Sequence, residues 1–177
     1  MSTTYREHYT RQDHQNWEGD WELIDGAPYA MSPSPGFSHQ RLEKALLIAI
    51  DHILKQCDRC EAVSEIDWSP NEDTVVRPDV LVVCDQTGEF VRKTPELIAE
   101  VVSPTSAFRD EKMKFELYQQ EGVKTYLLVY PEERRVKIFR WHEGRLIKDG
   151  DYANETITLE IQDCQGRVDL SQLWRKP

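Results

Sequence analysis

The sequence has no run of about 18 consecutive apolar residues, which is the length that a membrane-spanning helix requires. Its first residues, MSTTYREHYTRQDHQNWEGD, are polar and include no apolar stretch of the kind found in a signal peptide. It also has no internal repeat and no low-complexity segment. We therefore predict a cytoplasmic protein with no membrane partner, in which residues 1–20 form a polar lead-in and residues 21–177 form a single domain.

Cysteine is scarce, and its spacing is not that of a zinc site. Only Cys57 and Cys60 are separated by two residues, and no second CxxC or histidine pair completes a ligand set. The other two cysteines are Cys84 and Cys164. Four cysteines in a cytoplasmic protein of this size do not indicate a disulfide scaffold, so we predict four reduced thiols.

Basic charge is also in short supply. The chain has 22 Lys and Arg against 32 Asp and Glu, which gives a net charge of −10. Such a chain does not coat nucleic acid through a broad basic surface. A local basic cleft is still compatible with this charge, and clustered carboxylates are what a divalent-metal enzyme needs.

The hydrophobic pattern predicts strands and two helices. The helices are expected at residues 39–56, where apolar residues recur at helical spacing, and at residues 106–121, which Gly122 ends. A turn-rich link, SPSPG, precedes the first helix. The remaining predicted elements are a hairpin at 21–31 turning at Asp25-Gly26, strands near 62–69, 75–84, 96–102, 124–131 and 156–161, and a hairpin at 135–149 turning at Glu143-Gly144. This order predicts an α/β (α+β) fold, a mixed sheet flanked by helices.

Two carboxylates interrupt strands that are otherwise apolar. Glu100 lies within LIAEVV, and Asp79 directly precedes VLVV. A charge in a buried strand is costly unless it is paired or bound to a metal, and two neighbouring carboxylates repel each other. Mg²⁺ or Mn²⁺ would compensate both, because hard cations prefer oxygen ligands. Pairing with Arg77 or Arg109 is the alternative.

The second predicted helix carries a cation on its apolar side. At about 100° per residue, Lys114 falls on the same side as Leu117 and Tyr118, whereas Lys112 falls on the opposite, polar side. Lys114 could point towards Asp79 and Glu100, where it would stabilise charge on a phosphoryl group. The alternative is an ordinary ion pair with Asp110, four residues earlier.

These features together resemble a known family. The segments WELIDG, MSPSPGFSHQ, RPDVLVV and PELIAEVVSPTSAFRDEKMKFELYQQEGVKTYLLVYP are similar, in order and spacing, to the Uma family of restriction-endonuclease-like proteins in the PD-(D/E)XK nuclease superfamily. The Pro-Asp element of the superfamily corresponds to Pro78-Asp79. Its acidic-X-Lys element corresponds to Glu100-Val101-Val102, so valine occupies the usual lysine position. In families of this type the lysine is found on the following helix, which corresponds to Lys114.

The resemblance implies a restriction-endonuclease-like fold with a four-stranded mixed core sheet flanked by helices, often assembled as a homodimer. The hairpins that the sequence pattern predicts would be additional N- and C-terminal elements of this fold. It implies metal binding by Asp79, Glu100 and the main-chain carbonyl of Val101, with Lys114 as the catalytic cation. The expected cofactor is Mg²⁺ or Mn²⁺, and the expected partner is nucleic acid, with DNA favoured.

Three further residues are candidates for a supporting role. His39, at the start of the first helix, could bind a phosphate or support the metal site, although a single histidine there is more often structural. Glu43 resembles the first-helix acid of some nucleases, but its helical position predicts a solvated face. Tyr118 either packs or fixes Lys114.

The sequence thus predicts a metal-dependent endonuclease that hydrolyses phosphodiester bonds. Two alternatives remain open at this point. One is a nuclease-fold binding or regulatory protein that does not cut. The other is a structural dimer module in which Asp79, Glu100 and Lys114 form only a buried ion network.

Overall fold

The structure is a computed structural model that describes residues 7–31 and 34–175. The first six residues of the lead-in, and Ser32 and Pro33 of the SPSPG link, lie outside the described residues. Across the described ranges, none of the helices has both the length and the apolar composition needed to span a membrane.

A six-stranded mixed sheet forms the centre of the molecule, with strand order β10-β9-β8-β7-β6-β3. Its strands are β3 (Cys60–Ser64), β6 (Val80–Cys84), β7 (Leu97–Val101), β8 (Thr125–Tyr130), β9 (Arg135–His142) and β10 (Arg145–Tyr152). Strands β7 and β8 are parallel, and the other neighbours are antiparallel. The predicted mixed sheet is therefore confirmed, with six strands where the resemblance implied four.

Two helices cover the two faces of this sheet. Helix α2 (Phe37–Leu54) packs on the face that bears Val80 and Val82, and helix α3 (Lys114–Gln120) packs on the face that bears Leu81. Successive strand residues point to opposite faces, so a strand covered on both sides is apolar throughout. Both helices were predicted, and the second begins with a π-helical turn at Arg109–Met113.

A smaller sheet with the order β2-β1-β5-β4 lies beside the central one. Its strands are β1 (Trp21–Ile24), β2 (Ala27–Ala30), β4 (Trp68–Asn71) and β5 (Thr74–Val76). The N-terminal hairpin β1–β2 turns at Asp25 and Gly26, whose φ angles of 50° and 76° suit a tight hairpin turn. This hairpin was predicted. It joins the small sheet through the pairing of Leu23 with Val75.

The C-terminal hairpin contains a strand that the sequence pattern did not predict. Strand β11 (Thr156–Ile161) pairs with β12 (Cys164–Asp169), whose sequence CQGRVD has only one fully buried residue. Because β12 packs on helix α2 through Gly166, a Cβ atom at that position would lie 2.5 Å from the Ile53 side chain. The close approach of the backbone therefore requires glycine, which weakens the local strand signal.

The described part of the lead-in contacts both hairpins of the small sheet. It includes a short helix, α1 (Arg11–His14), which Thr10 caps. The Tyr9 amide donates a hydrogen bond to the carbonyl of Gly26 at 2.9 Å, and the Arg11 guanidinium lies 2.7 Å from a Glu72 carboxylate oxygen. These polar contacts explain how a segment without a hydrophobic stretch packs against the domain.

The prediction of four reduced thiols is wrong. The structure pairs Cys60 with Cys84 and Cys57 with Cys164. Cys60 and Cys84 lie opposite each other in the register of β3 and β6. Strand β12 brings Cys164 to Cys57 across 107 residues of sequence. Cysteine count and spacing could not reveal these contacts because both depend on strand pairing or packing.

Candidate active site

Asp79 and Glu100 meet within the central sheet, where β6 begins and β7 ends. Val80 pairs with Ala99 in the antiparallel register of β6 and β7, which places Asp79 opposite Glu100. The Asp79 amide donates to Glu100 Oε2 at 3.3 Å, and the Val101 amide donates to Asp79 Oδ2 at 2.6 Å. Each carboxylate is thus oriented by the backbone of the other strand.

Lys114 extends from the start of helix α3 into the same place. Its Nζ lies 2.8 Å from Glu22 Oε1, 2.9 Å from Glu100 Oε1 and 3.8 Å from Asp110 Oδ1. The Lys114 side chain is 4% exposed, whereas Lys112 is exposed to solvent. The helical spacing therefore distinguished the two lysines correctly, and the suggested contact with Asp110 is the longest of the three.

Tyr118 is buried one helical turn after Lys114 and contacts Glu100 directly. Its hydroxyl donates to Glu100 Oε1 at 2.7 Å. Burial and the Glu100 carboxylate raise the pKa of Tyr118 well above its ordinary value, so the hydroxyl keeps its proton. Of the two roles suggested for this residue, the structure shows packing, and its hydrogen bond goes to Glu100 rather than to Lys114.

Glu22 belongs to this cluster, and the sequence reasoning missed it. It lies on β1 and is fully buried. Glu22 Oε1 accepts a hydrogen bond from the Arg77 amide at 2.9 Å, and Oε2 lies 3.1 Å from the Arg109 guanidinium. The available signal was the one that revealed Glu100, an acid within an apolar strand, here WELI.

Within the ranges that the structure describes, neither Arg77 nor Arg109 forms an ion pair with Asp79 or Glu100. The Arg77 guanidinium pairs with Asp20 and Asp67, each at 2.8 Å. Arg109 pairs with Glu22. Arginine therefore leaves Asp79 and Glu100 for another cation to compensate.

His39 lies against Asp79 from helix α2. Its Nε2 is 3.0 Å from Asp79 Oδ1. Burial lowers the pKa of His39, but the hydrogen bond to Asp79 and the negative charge of that residue outweigh burial and raise the pKa above its ordinary value. The imidazolium form of His39 is thus favoured by its contact with Asp79.

The prediction of a solvated Glu43 is wrong. Glu43 is 4% exposed because the side of α2 that carries it faces Asp79, at the start of β6. Burial, followed by the charges of Glu65 and Asp79, raises the pKa of Glu43 to about 7. One ligand atom from each of His39, Glu43 and Asp79 lies within 4.8 Å of the others, close enough to share a metal ion.

Most of these side chains line a cavity of about 250 Å³ that is open to solvent. Its lining residues come from both sheets, from α2 and from the helix that follows β7. Its charged and polar lining includes Glu22, His39, Glu65, Arg77, Asp79, Glu100, Arg109, Asp110 and Lys114, and the backbone of Val101 also lines it. Residues scattered over 93 positions of sequence therefore converge on one pocket, the arrangement expected of an active site.

Negative charge exceeds positive charge around the cavity. Five carboxylates line the cavity, those of Glu22, Glu65, Asp79, Glu100 and Asp110, against three permanent cations, Arg77, Arg109 and Lys114. Burial raises the pKa of Glu100 well above its ordinary value, although Lys114 opposes this, and it also raises that of Asp110. A divalent cation would relieve the excess, so the oxygen-rich donor set fits Mg²⁺ or Mn²⁺.

Comparison with known proteins identifies the family of this chain. Residues 6–167 match the family described as "Uma2: Putative restriction endonuclease". The chain belongs to the Uma2 family. The family resemblance seen in the sequence is thereby confirmed.

A solved structure shows that this Uma2 protein shares its fold with another protein. The crystal structure, titled as a "putative nuclease belonging to DUF820" from Anabaena variabilis ATCC 29413, superposes with a TM-score of 0.77. The superposition covers 93% of this chain and 97% of that chain, at 15% sequence identity. Among curated proteins, none matches the chain.

Proposed function

We propose that this Uma2 protein is a metal-dependent endonuclease that hydrolyses phosphodiester bonds in DNA, with Asp79, Glu100 and Lys114 as its catalytic residues. The observation that carries the proposal is the contact of Lys114 with Glu100 at a cavity that Asp79 also lines. The family description, "Putative restriction endonuclease", supports it, as does the description of the structural neighbour as a "putative nuclease".

Asp79, Glu100 and the main-chain carbonyl of Val101 would hold Mg²⁺ or Mn²⁺. The metal would polarise the scissile phosphate and lower the pKa of a bound water. His39, Glu43 and Asp79 form a second possible ligand set, and the two sets share Asp79. Asp79 is therefore the residue on which metal binding depends in either arrangement.

Lys114 acts in this proposal as a fixed positive charge. Burial lowers the pKa of Lys114, but Glu100, Glu22 and Asp110 together raise it far above its ordinary value. A lysine in this environment keeps its proton at neutral pH, so it serves as a hydrogen-bond donor rather than as a base. It would stabilise the negative charge that develops on the phosphoryl oxygens.

The charge distribution bears on how DNA would bind. A chain with a net charge of −10 does not attract a duplex over its whole surface. Phosphate would instead be held locally, through the metal, Lys114 and Arg109 at the cavity.

The cytoplasmic location and the homodimer remain predictions made from the sequence.

The same contacts favour one alternative, a buried ion network without activity. Lys114 is surrounded by three carboxylates of its own chain, as a purely structural cation would be. The two functions differ in their need for a metal. An ion network that is complete gains nothing from Mn²⁺, whereas a nuclease site does.

Cleavage of plasmid and single-stranded DNA tests the proposal. Wild-type protein with Mg²⁺ or Mn²⁺ is compared with Asp79→Ala and Lys114→Ala, and Lys112→Ala is the control because Lys112 is exposed. We expect cutting by the wild type and by Lys112→Ala, and at most residual cutting by the other two variants. Absence of cutting by folded wild-type protein under all these conditions would favour the non-catalytic alternatives.

A further inference from the structure

We propose that Glu22 is a positioning residue that holds Lys114 in its reactive orientation, which makes the small sheet part of the active site. This inference rests on the proposed endonuclease function. It assigns a role to a carboxylate outside the Pro-Asp and acidic-X-Lys elements, from a hairpin that lies beside the central sheet.

The first support is the contact itself. Glu22 Oε1 lies 2.8 Å from Lys114 Nζ, which is as close as the contact of Lys114 with Glu100. The Glu22 and Lys114 side chains are 1% and 4% exposed, respectively. An ion pair that is this close and shielded from water is little screened, so it holds the two charged groups against each other.

Lys114 needs such a partner because of its side chain. A lysine ammonium stands on a flexible four-carbon stem, and its three N–H groups rotate together. Glu22 and Glu100 engage two of them at hydrogen-bond distance, while Asp110 at 3.8 Å lies beyond it. Two carboxylates therefore hold the ammonium group from two strands, at the cavity that all three residues line.

Glu22 is itself held by the segment that carries Asp79. The same Oε1 atom accepts a hydrogen bond from the amide of Arg77, two residues before Asp79. Oε2 contacts Arg109, on the π-helical turn that precedes Lys114. Glu22 thus connects the start of β6 with the helix that provides the lysine, and sets the position of one relative to the other.

A double-mutant cycle tests this role. Cleavage kinetics are measured for wild type, Glu22→Gln, Lys114→Ala and the double variant, each saturated with Mn²⁺. Glutamine keeps the size of Glu22 but removes its charge. We expect Glu22→Gln to lower kcat by about 10- to 100-fold, the usual effect of removing a partner that orients a reactive group, with little change in KM. In the Lys114→Ala background we expect no further loss.

Thr74→Val is the matched control for disturbance of the small sheet. Thr74 is fully buried on β5, and its hydroxyl accepts a hydrogen bond from the Asp25 amide in the β1–β2 turn. This variant should keep the kcat of the wild type even where it lowers the unfolding temperature. The exchange rate of the Lys114 ammonium protons, measured by NMR, gives a second readout that needs no catalysis and should rise in Glu22→Gln.

The outcomes separate this inference from the proposed function. Wild-type cleavage with equal losses from Glu22→Gln in both backgrounds, or with unchanged kcat and unchanged ammonium exchange, would overturn the positioning role and leave the nuclease intact. Absence of wild-type cleavage would overturn both. If Lys114→Ala leaves too little activity for the cycle, ammonium exchange together with kcat of Glu22→Gln decides.

Discussion

Lys114 Nζ and Glu100 Oε1 lie 2.9 Å apart, although Lys114 belongs to a helix and Glu100 to a strand 14 residues earlier. The helix thereby supplies a cation that the strand itself does not carry. Val102, at the lysine position of the acidic-X-Lys element, is buried in the apolar cluster on the α3 face of the sheet. A lysine side chain at that position would lie among apolar groups, which explains why the cation comes from α3.

Removing the positive charge of Lys114 should destabilise the fold strongly. Lys114→Met would leave Glu22, Glu100 and Asp110 without their shared cation, and breaking a buried ion pair costs about 3–5 kcal/mol. Lys112→Met, on the solvent side of the same helix, should change the free energy of unfolding by about 0.5 kcal/mol or less. Urea unfolding in EDTA measures both. Equal values for the two variants would show that the buried contacts contribute little.

Divalent metal should stabilise the wild-type protein. Binding to the folded state alone adds about 2.7 kcal/mol to the free energy of unfolding at a metal concentration 100 times Kd. Thermal unfolding with increasing Mn²⁺ should therefore show a rising midpoint for wild type and a constant one for Asp79→Asn. A midpoint that does not respond to Mn²⁺ in the wild type is the result expected of a complete ion network.

Glu43 should make stability depend on pH when metal is removed. Its pKa is raised from 4.5 to about 7, so the folded state binds the proton more tightly than the unfolded state does. The stabilisation that this provides is present below about pH 4.5 and is lost as the pH rises through 7. Glu43→Gln should lack this loss. Urea unfolding of both proteins at pH 5 and pH 8 in EDTA measures the difference, and parallel pH dependence would contradict the prediction.

Tyr118→Phe should separate packing from hydrogen bonding. It removes the bond to the Glu100 carboxylate and keeps the ring, at a cost of about 1.5–3 kcal/mol for a bond to a charged group. We expect cleavage to fall as well, because Glu100 loses a group that orients it. Tyr126→Phe is the control, since the Tyr126 hydroxyl donates to the Asp110 carbonyl and not to Glu100. Similar cleavage by the two variants would assign Tyr118 to packing alone.

Much of the fold could be predicted because hydrophobic periodicity is local. Strands β6, β7 and β8 are buried along their whole length and apolar apart from Glu100 and Thr125, and helices α2 and α3 carry apolar residues at helical spacing. Strand β12 was not predicted because its position depends on the close approach of Gly166 to Ile53. The disulfide pairs were not predicted for a similar reason, since each joins segments that meet only in the folded chain.

The sequence by itself determined that Asp79, Glu100 and Lys114 are exceptional, because a charge among apolar residues is conspicuous along the chain. Only the tertiary structure decided what each charge contacts. Glu22 reaches Lys114 because β1 pairs with β5 across 52 residues of sequence, between Leu23 and Val75. Glu43 is buried because α2 packs beside Asp79. The residues around Glu43 belong to other segments of the chain, and the periodicity of α2 gives no information about them. Electrostatic contacts of this kind depend on distances in space, which local sequence patterns do not encode.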